Sequence, residues 1–131
     1  MSVFQGIEHV GLVCKDTTGM AKWYAEVFGL KEVYNNRKTP PTLFYKAPNG
    51  MMIEFVPTGG KASLPFDEKD EGWRHIAVKV VNIQSAMAKL DERHVEWIGD
   101  LKESPQTGVK ARFFRDPEGN ILHIIERSSP L

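Results

Sequence analysis

The sequence predicts an α+β fold made of two copies of one module, each consisting of a strand, a helix and three further strands. Two segments, "GIEHVGLVC" at 6–14 and "GWRHIAVKV" at 72–80, each place a histidine three residues after a glycine. Further along, "MAKWY" is matched by "MAKLD", and "PNGMMIEFV" is matched by "PEGNILHII". The three matches keep the same order, which is what a duplicated unit with small loop insertions produces.

The first copy carries a signal for each element in turn. Residues 7–14 are rich in apolar and strand-forming types. Thr17 or Thr18 is expected to cap a helix that ends at a left-handed Gly29. The apolar residues of this helix recur at helical spacing, and we interpret them as a face packed on a sheet: Met20, Trp23, Tyr24, Val27 and Phe28. Three more strands are predicted, at 31–36, 42–47 and 51–56.

The second copy repeats this pattern. Its predicted elements are a strand at 74–81, a helix at 83–93 opened by Asn82, strands at 94–98 and 109–115, and a last strand at 121–127. The polar segment 58–71, which contains Gly and Pro, is predicted to be a linker. We therefore expect one domain, 1–131, composed of module 1–57, linker 58–71 and module 72–131.

Composition excludes several classes of function. The 17 basic and 17 acidic residues cancel, and no Lys/Arg run offers a surface for nucleic acid. The first residues show no basic leader and no long apolar stretch, so neither a signal peptide nor a membrane partner is expected. The single cysteine, Cys14, allows no internal disulfide and suits a reducing cytoplasm, where we expect the protein to reside.

The last hairpin, "DPEGNILHIIE", holds two groups able to do chemistry, His123 and Glu126. They are three residues apart, and side chains alternate along a strand, so only one of them can face a given site. Counting four residues from the turn glycines Gly50 and Gly119 makes His123 equivalent to Glu54. Glu126 falls beyond the matched motif, and His123 is therefore predicted to face the site. The opposite face is predicted to lie under the helices and contains Ile53, Phe55, Leu122 and Ile124.

A second equivalent pair, His9 and His75, lies on the first strands of the two copies. Pseudo-two-fold symmetry between the copies would bring together His9, Glu54, His75 and His123. Three imidazoles and one carboxylate are a suitable ligand set for a divalent metal such as Ni, Zn, Mn or Fe. The fourth histidine, His94, follows the second helix, is expected to be exposed, and is not a candidate.

These residues resemble the vicinal oxygen chelate superfamily, which includes glyoxalase I, drug-resistance proteins and extradiol dioxygenases. The resemblance is carried by "IEHVGLVCKD", "WYAEVFGL", "MIEFV", "RHIAVKV" and "FFRDPEGNI", which span nearly the whole chain. It implies two βαβββ modules whose mixed sheets curl into a cup around a metal, with the helices on the outer face. It also implies a homodimer in which each cup combines modules from two subunits, and metal ligands at His9, Glu54, His75 and His123.

Two positions depart from the glyoxalase I pattern that the sequence resembles. His123 stands where glyoxalase I has a glutamate that is important in moving the proton. Val13 stands where bacterial glyoxalase I has a basic residue that helps to hold glutathione. Its repeat mate, Lys79, shares the face of His75 by strand alternation and is predicted to orient an anionic substrate group. Arg112 and Arg115 are further candidates, but the sequence does not determine which face they occupy.

The leading hypothesis is a metal-dependent lyase or isomerase of glyoxalase type. A divalent metal would chelate two neighbouring oxygens of a small α-keto or α-hydroxy substrate and stabilise an enediolate. Glu54, the only carboxylate of the proposed ligand set, is the predicted general base. Two alternatives stay open: oxygen-dependent ring cleavage on Fe(II) held by His9, His75 and Glu54, and a non-catalytic protein that binds a small molecule or drug.

Overall fold

The computed structural model describes residues 3–131 and divides the chain into two compact units, Met1–Ser63 and Leu64–Leu131. The boundary between them falls inside the segment 58–71 that was predicted to be a linker. Each unit contains one helix and one four-stranded mixed sheet. Of the helices in residues 3–131, none is long and apolar enough to span a membrane.

Unit 1 follows the order strand, helix, strand, strand, strand. Its elements are β1 (His9–Cys14), α1 (Thr17–Phe28), β2 (Lys31–Asn35), β3 (Leu43–Lys46) and β4 (Met52–Pro57). Across the sheet the strand order is β1-β4-β3-β2. β1 and β4 are parallel, and the other two pairings are antiparallel.

Unit 2 repeats this arrangement. Its elements are β5 (Ile76–Lys79), α2 (Ile83–Glu92), β6 (Glu96–Ser104), β7 (Val109–Arg115) and β8 (Ile121–Arg127). The strand order, β5-β8-β7-β6, is that of unit 1, and β5 and β8 are again the parallel pair. The predicted α+β fold with two βαβββ modules is therefore confirmed.

The helix caps agree with the prediction in two places and differ in one. α1 begins after Asp16, whose Oδ1 accepts a hydrogen bond from the Gly19 amide at 2.9 Å. The prediction of Thr17 or Thr18 as the cap was wrong, because the Thr17 side chain is buried and its hydroxyl donates to the Pro41 carbonyl at 2.7 Å. Asn82 caps α2 as predicted, and its Oδ1 accepts from the Ser85 amide at 2.9 Å.

Gly29 ends α1 in the predicted left-handed conformation, with φ of 74°. A residue with a Cβ is strained at this backbone angle, which is why glycine serves there.

The strand bounds of unit 2 differ from the prediction at β5 and β6. β5 is shorter than the predicted strand 74–81, and β6 extends six residues beyond the predicted end at 98. The extension pairs with β7, and a register shift between Ile98 and Lys102 accommodates the extra residues, including Gly99 at φ 73°. A bulge of this kind increases twist and interrupts the alternation on which the sequence reading depended.

One face of each sheet packs against the helix of its own unit. In unit 1, Tyr24 of α1 and Phe55 of β4 are fully buried, with ring centroids 5.4 Å apart. In unit 2, α2 packs on β8, where Leu122 and Ile124 are each 1% exposed. Phe55, Leu122 and Ile124 thus occupy the buried face on which the sequence placed them, and the residues between them point to the opposite face.

Glu126 lies on the helix face of β8. Its Oε1 accepts a hydrogen bond from the amide of Ile83, the first residue of α2, at 2.8 Å. Its Oε2 lies 3.9 Å from Nζ of Lys110. The carboxylate therefore complements the positive end of the α2 helix dipole.

Replacing Glu126 by alanine is expected to lower the free energy of unfolding by about 1 kcal/mol. The reason is that the Ile83 amide at the start of α2 loses its hydrogen-bond acceptor. Glu126→Gln, which keeps an oxygen acceptor and loses the charge, should lose less. Urea unfolding followed by circular dichroism measures both variants. Equal stability of wild type and Glu126→Ala would show that the contact contributes nothing.

Candidate metal centre

In unit 1 the parallel pairing of β1 with β4 brings a histidine and a carboxylate together. Glu54 lies opposite Gly11 in the register, so no side chain stands between it and His9, two residues earlier on β1. His9 Nε2 lies 3.4 Å from Glu54 Oε1. Both side chains are partly exposed, at 33% and 27%. The two groups are thus accessible and close enough to share one cation.

A second carboxylate holds the other side of the His9 ring. Nδ1 of His9 lies 2.9 Å from Oε1 of Glu8. When Nδ1 carries the proton and donates it to this carboxylate, the lone pair of Nε2 points toward Glu54. A carboxylate that fixes the tautomer of a ligating histidine is a common support for a metal site. Sequence reasoning missed Glu8, although it directly precedes His9.

In unit 2 the equivalent positions hold two imidazoles. His123 lies opposite Ala77 in the register of β5 and β8, and His75 comes two residues before Ala77. The ring centroids of His75 and His123 are 4.5 Å apart and inclined at 46°. Because Ala77, like Gly11, is small, the two histidines contact each other across the strands.

The His123 ring is buried at its polar atoms but makes no hydrogen bond. Within residues 3–131, neither Nδ1 nor Nε2 of His123 has a partner, although both are shielded from solvent. Burial, together with the positive charges of His75 and Arg127, lowers the pKa of His123 to about 4. The ring is therefore neutral near pH 7, with a lone pair available for a ligand.

A phenylalanine supports the histidine of each unit. Phe44 lies opposite Glu54 in the sheet, and its ring centroid is 5.0 Å from that of His9. Phe113 lies opposite His123, with centroid distances of 4.6 Å to His123 and 5.4 Å to His75. The sequence contained a signal for this pair, since extending the repeat backwards aligns "FYKAPNG" with "FFRDPEG".

The other residues that the sequence suggested as candidates are Lys79, Arg112 and Arg115. Lys79 is exposed at the end of β5, and alternation places it on the face of His75. Arg112 lies 4.2 Å above the Trp97 ring, and Arg115 contacts Glu96, Asp67 and backbone carbonyls. Both arginines are thus already engaged. His94 is exposed.

Each unit alone supplies two of the four proposed ligands. Within the described part of either unit, no three His, Cys, Asp or Glu side chains cluster as a metal-binding group. The donor chemistry nevertheless fits a divalent metal. Two donor atoms about 2.1 Å from one metal in tetrahedral or octahedral geometry lie about 3.0–3.4 Å apart, and Nε2 of His9 and Oε1 of Glu54 are 3.4 Å apart. The unpartnered nitrogens of His123 fit the same role.

Two βαβββ units, with equivalent histidines at the start of the first strand (His9) or directly before it (His75), define a class of protein, and the comparison with known families agrees. The chain matches the Glyoxalase/Bleomycin resistance protein/Dioxygenase superfamily over residues 6–124, and it belongs to this family.

Among curated proteins, it is 23% identical over 128 residues to the uncharacterized protein YwkD of Bacillus subtilis (strain 168), covering 95% of this chain and 99% of that protein.

Solved structures show the same fold. A glyoxylase/bleomycin resistance protein/dioxygenase domain from Frankia sp. EAN1pec superposes with a TM-score of 0.76 at 21% identity, covering 98% of this chain and 96% of the other. A mutant of the fosfomycin resistance protein FosX from Listeria monocytogenes, complexed with Mn(II) and 1S,2S-dihydroxypropylphosphonic acid, gives a TM-score of 0.74 at 17% identity, with coverage of 98% and 94%.

The lowered pKa of His123 predicts a dependence of stability on pH in metal-free protein. Since the unfolded histidine has a pKa of about 6.5 and the folded one about 4, the unfolded state binds more protons between these values. Stability is therefore expected to fall as the pH is lowered from about 6.5 to about 4. The His123→Leu variant should show a shallower fall over this window in urea titrations with a chelator present.

The matched control is His94→Asn, which removes an exposed histidine and keeps a residue that tolerates the observed φ of 55°. It should retain the wild-type slope. A slope unchanged in His123→Leu would contradict the neutral, buried state of His123.

Proposed function

We propose that this protein is a divalent-metal-dependent enzyme of glyoxalase type, a lyase or isomerase acting on a small substrate with two neighbouring oxygens. The observation that carries the proposal is the pair of equivalent side-chain couples, His9 with Glu54 and His75 with His123, on the helix-free faces of the two sheets. Family membership supports it, because the related FosX structure contains Mn(II) and a vicinal diol.

His9, Glu54, His75 and His123 would hold the metal, which is Ni, Zn, Mn or Fe. When bound, such a metal polarises the substrate oxygens and acidifies the adjacent C–H bond. The neutral state of the buried His123 ring agrees with this role, since a protonated imidazole cannot coordinate a cation. Phe44 and Phe113 would keep the imidazoles in orientation.

Glu54 is the residue proposed to move the proton. It is the only carboxylate of the four, and its Oε1 lies 3.4 Å from Nε2 of His9. It would take a proton from the substrate carbon that bears the hydroxyl group and return it to the neighbouring carbonyl carbon, while the hydroxyl proton passes to the neighbouring oxygen. This transfer needs no external oxidant or reductant, because one carbon is oxidised while its neighbour in the same molecule is reduced.

The proposed assembly combines this distribution of ligands with the pairing of modules between subunits that the family resemblance implies. One unit carries two of the four ligand positions, so a complete site requires two units. We propose a homodimer in which each site is shared between subunits, located in the cytoplasm, with the chain folding as one domain from 1 to 131. Lys79 would orient an anionic group of the substrate.

Two alternatives predict different results. Ring cleavage on Fe(II) by His9, His75 and Glu54 would appear as catechol cleavage by anaerobically purified, iron-loaded protein. A fourth protein ligand at His123 disfavours it, because fewer positions stay open for substrate and oxygen. A non-catalytic binding role would be supported if Ni, Zn, Mn and Fe all failed to stabilise the protein.

Glu54→Gln is expected to lower proton transfer about 10²- to 10⁴-fold, because the amide cannot accept the proton. The reaction can be followed without knowing the product, as deuterium exchange from solvent into small α-hydroxy ketones, measured by NMR with metal-loaded protein. Glu126→Gln, on the other face of its sheet, is the matched control and should exchange at the wild-type rate.

Metal content is measured on the same samples by elemental analysis. Full exchange activity in metal-loaded Glu54→Gln would show that another group is the base.

A further inference from the structure

A row of residues crosses the sheet of unit 2 beside His123, and it has a lysine at each end. The registers pair Lys79 with Ile125, Ile125 with Ala111, and Ala111 with Lys102. The neighbouring row contains Ala77, His123 and Phe113. Since residues directly opposite one another share a face, both lysines lie on the face of His123.

A contact independent of the register confirms the side on which Lys102 lies. Its Nζ is 5.5 Å from the centroid of the Phe113 ring. That centroid is 4.6 Å from the His123 ring. The ammonium group of Lys102 is therefore at most about 10 Å from the His123 ring, since these distances are 5.5 Å and 4.6 Å. A small molecule can therefore reach from the ammonium group of Lys102 to the His123 ring.

The floor between the two lysines suits a ligand. The α-carbons of Lys79 and Lys102 are three strands apart, about 14 Å at a spacing of about 4.8 Å. Ala111 and Ile125 lie between them, and neither carries a charge. Ala111, with its methyl side chain, is the smallest residue of this row. Both lysine side chains are long enough to lean inward over this floor, as Lys102 does.

The charges of these two lysines are not neutralised inside the protein. Within residues 3–131, neither Lys79 nor Lys102 has a carboxylate within ion-pair distance, whereas Lys22 and Lys110 each have one. A third cation, Arg127, lies two residues beyond Ile125 on the same face of β8. Among the described residues, the positive charges of Lys79 and Lys102 on this part of the sheet therefore have no carboxylate within ion-pair distance.

We propose that Lys79 and Lys102 form a clamp for the oxyanion of the substrate, a phosphate-type or carboxylate-type group, over Ala111 and Ile125. The clamp rests on the proposed function only for its assignment to the substrate. Lys102 is then a specificity-determining residue for a particular class of substrate. In these substrates the anionic group lies a few bonds away from the two neighbouring oxygens that are proposed to bind beside His75 and His123.

The clamp is tested with metal-free full-length protein, using inorganic phosphate and acetate as probes in NMR titrations at low salt. Lys79→Gln and Lys102→Gln are each expected to weaken binding of the preferred probe about fivefold, the upper range for an exposed charge pair. The double variant should bind more weakly still. Lys89→Gln, which removes an exposed lysine from α2, is the control and should bind as wild type does.

The two probes distinguish the sources of the anion. Preference for phosphate supports a phosphate-type substrate group, and preference for acetate supports a carboxylate. Equal affinity of wild type and Lys102→Gln for both probes, or equal weakening by Lys89→Gln, overturns the clamp.

A separate titration with Zn or Ni, followed by thermal unfolding, reports on the metal proposal. Failure of metal binding with intact anion binding would overturn the proposed function and leave the clamp standing. Intact metal binding with no effect of the lysine variants would do the reverse.

Discussion

The parallel pairing of the first strand with the last strand in each unit determines where the reactive side chains lie. This register puts Gly11 opposite Glu54 and Ala77 opposite His123. Because the opposing residue is small, the histidine two positions earlier in the chain reaches the polar group on the last strand. A slip of one residue would turn every side chain of the last strand to the other face.

In unit 2 the register is secured from the helix side. Leu122 and Ile124 are buried, and Glu126 accepts the first amide of α2. A slip would expose the two apolar residues and leave the start of α2 without its acceptor. The position of His123 is thus held by residues that play no part in chemistry. This explains how a buried imidazole without a hydrogen-bond partner is tolerated.

Much of the fold and part of the candidate site could be predicted from the sequence, because repeats and strand alternation are local properties. The duplicated βαβββ order follows from the repeat, and the opposite faces of His123 and Glu126 follow from counting residues along one strand. The cap of α1 was mispredicted because Asp16, Thr17 and Thr18 are all good capping residues, and only tertiary burial of Thr17 decides among them.

Lys102 and the phenylalanines were missed for a different reason. Their roles depend on which residues stand opposite them on other strands, and this cannot be read from a single strand. For Lys102 the bulge between Ile98 and Lys102 also breaks the alternation that would have assigned its face. Glu8 was overlooked because its contact with His9 depends on the side-chain rotamer rather than on any periodicity.

The two copies have diverged in charge while keeping their geometry. Glu8 before His9 corresponds to Arg74 before His75, Glu54 corresponds to His123, and Val13 corresponds to Lys79. Although the formal net charge of the chain is zero, the charges near the histidines are divided between the units. Carboxylates lie beside the histidine of unit 1, and cations lie beside the histidines of unit 2.

This division has a consequence for the substrate. In the proposed site, a divalent metal held by one carboxylate and neutral imidazoles would keep a net positive charge, and Lys79 and Lys102 would add to it. Such a site would favour an anionic molecule over a neutral one of the same shape, and the preference would weaken as ionic strength rises. In glyoxalase I, the position of His123 holds a glutamate, which would cancel this charge. In the proposed site, the change from carboxylate to imidazole at that position would therefore alter substrate electrostatics as much as acid–base chemistry.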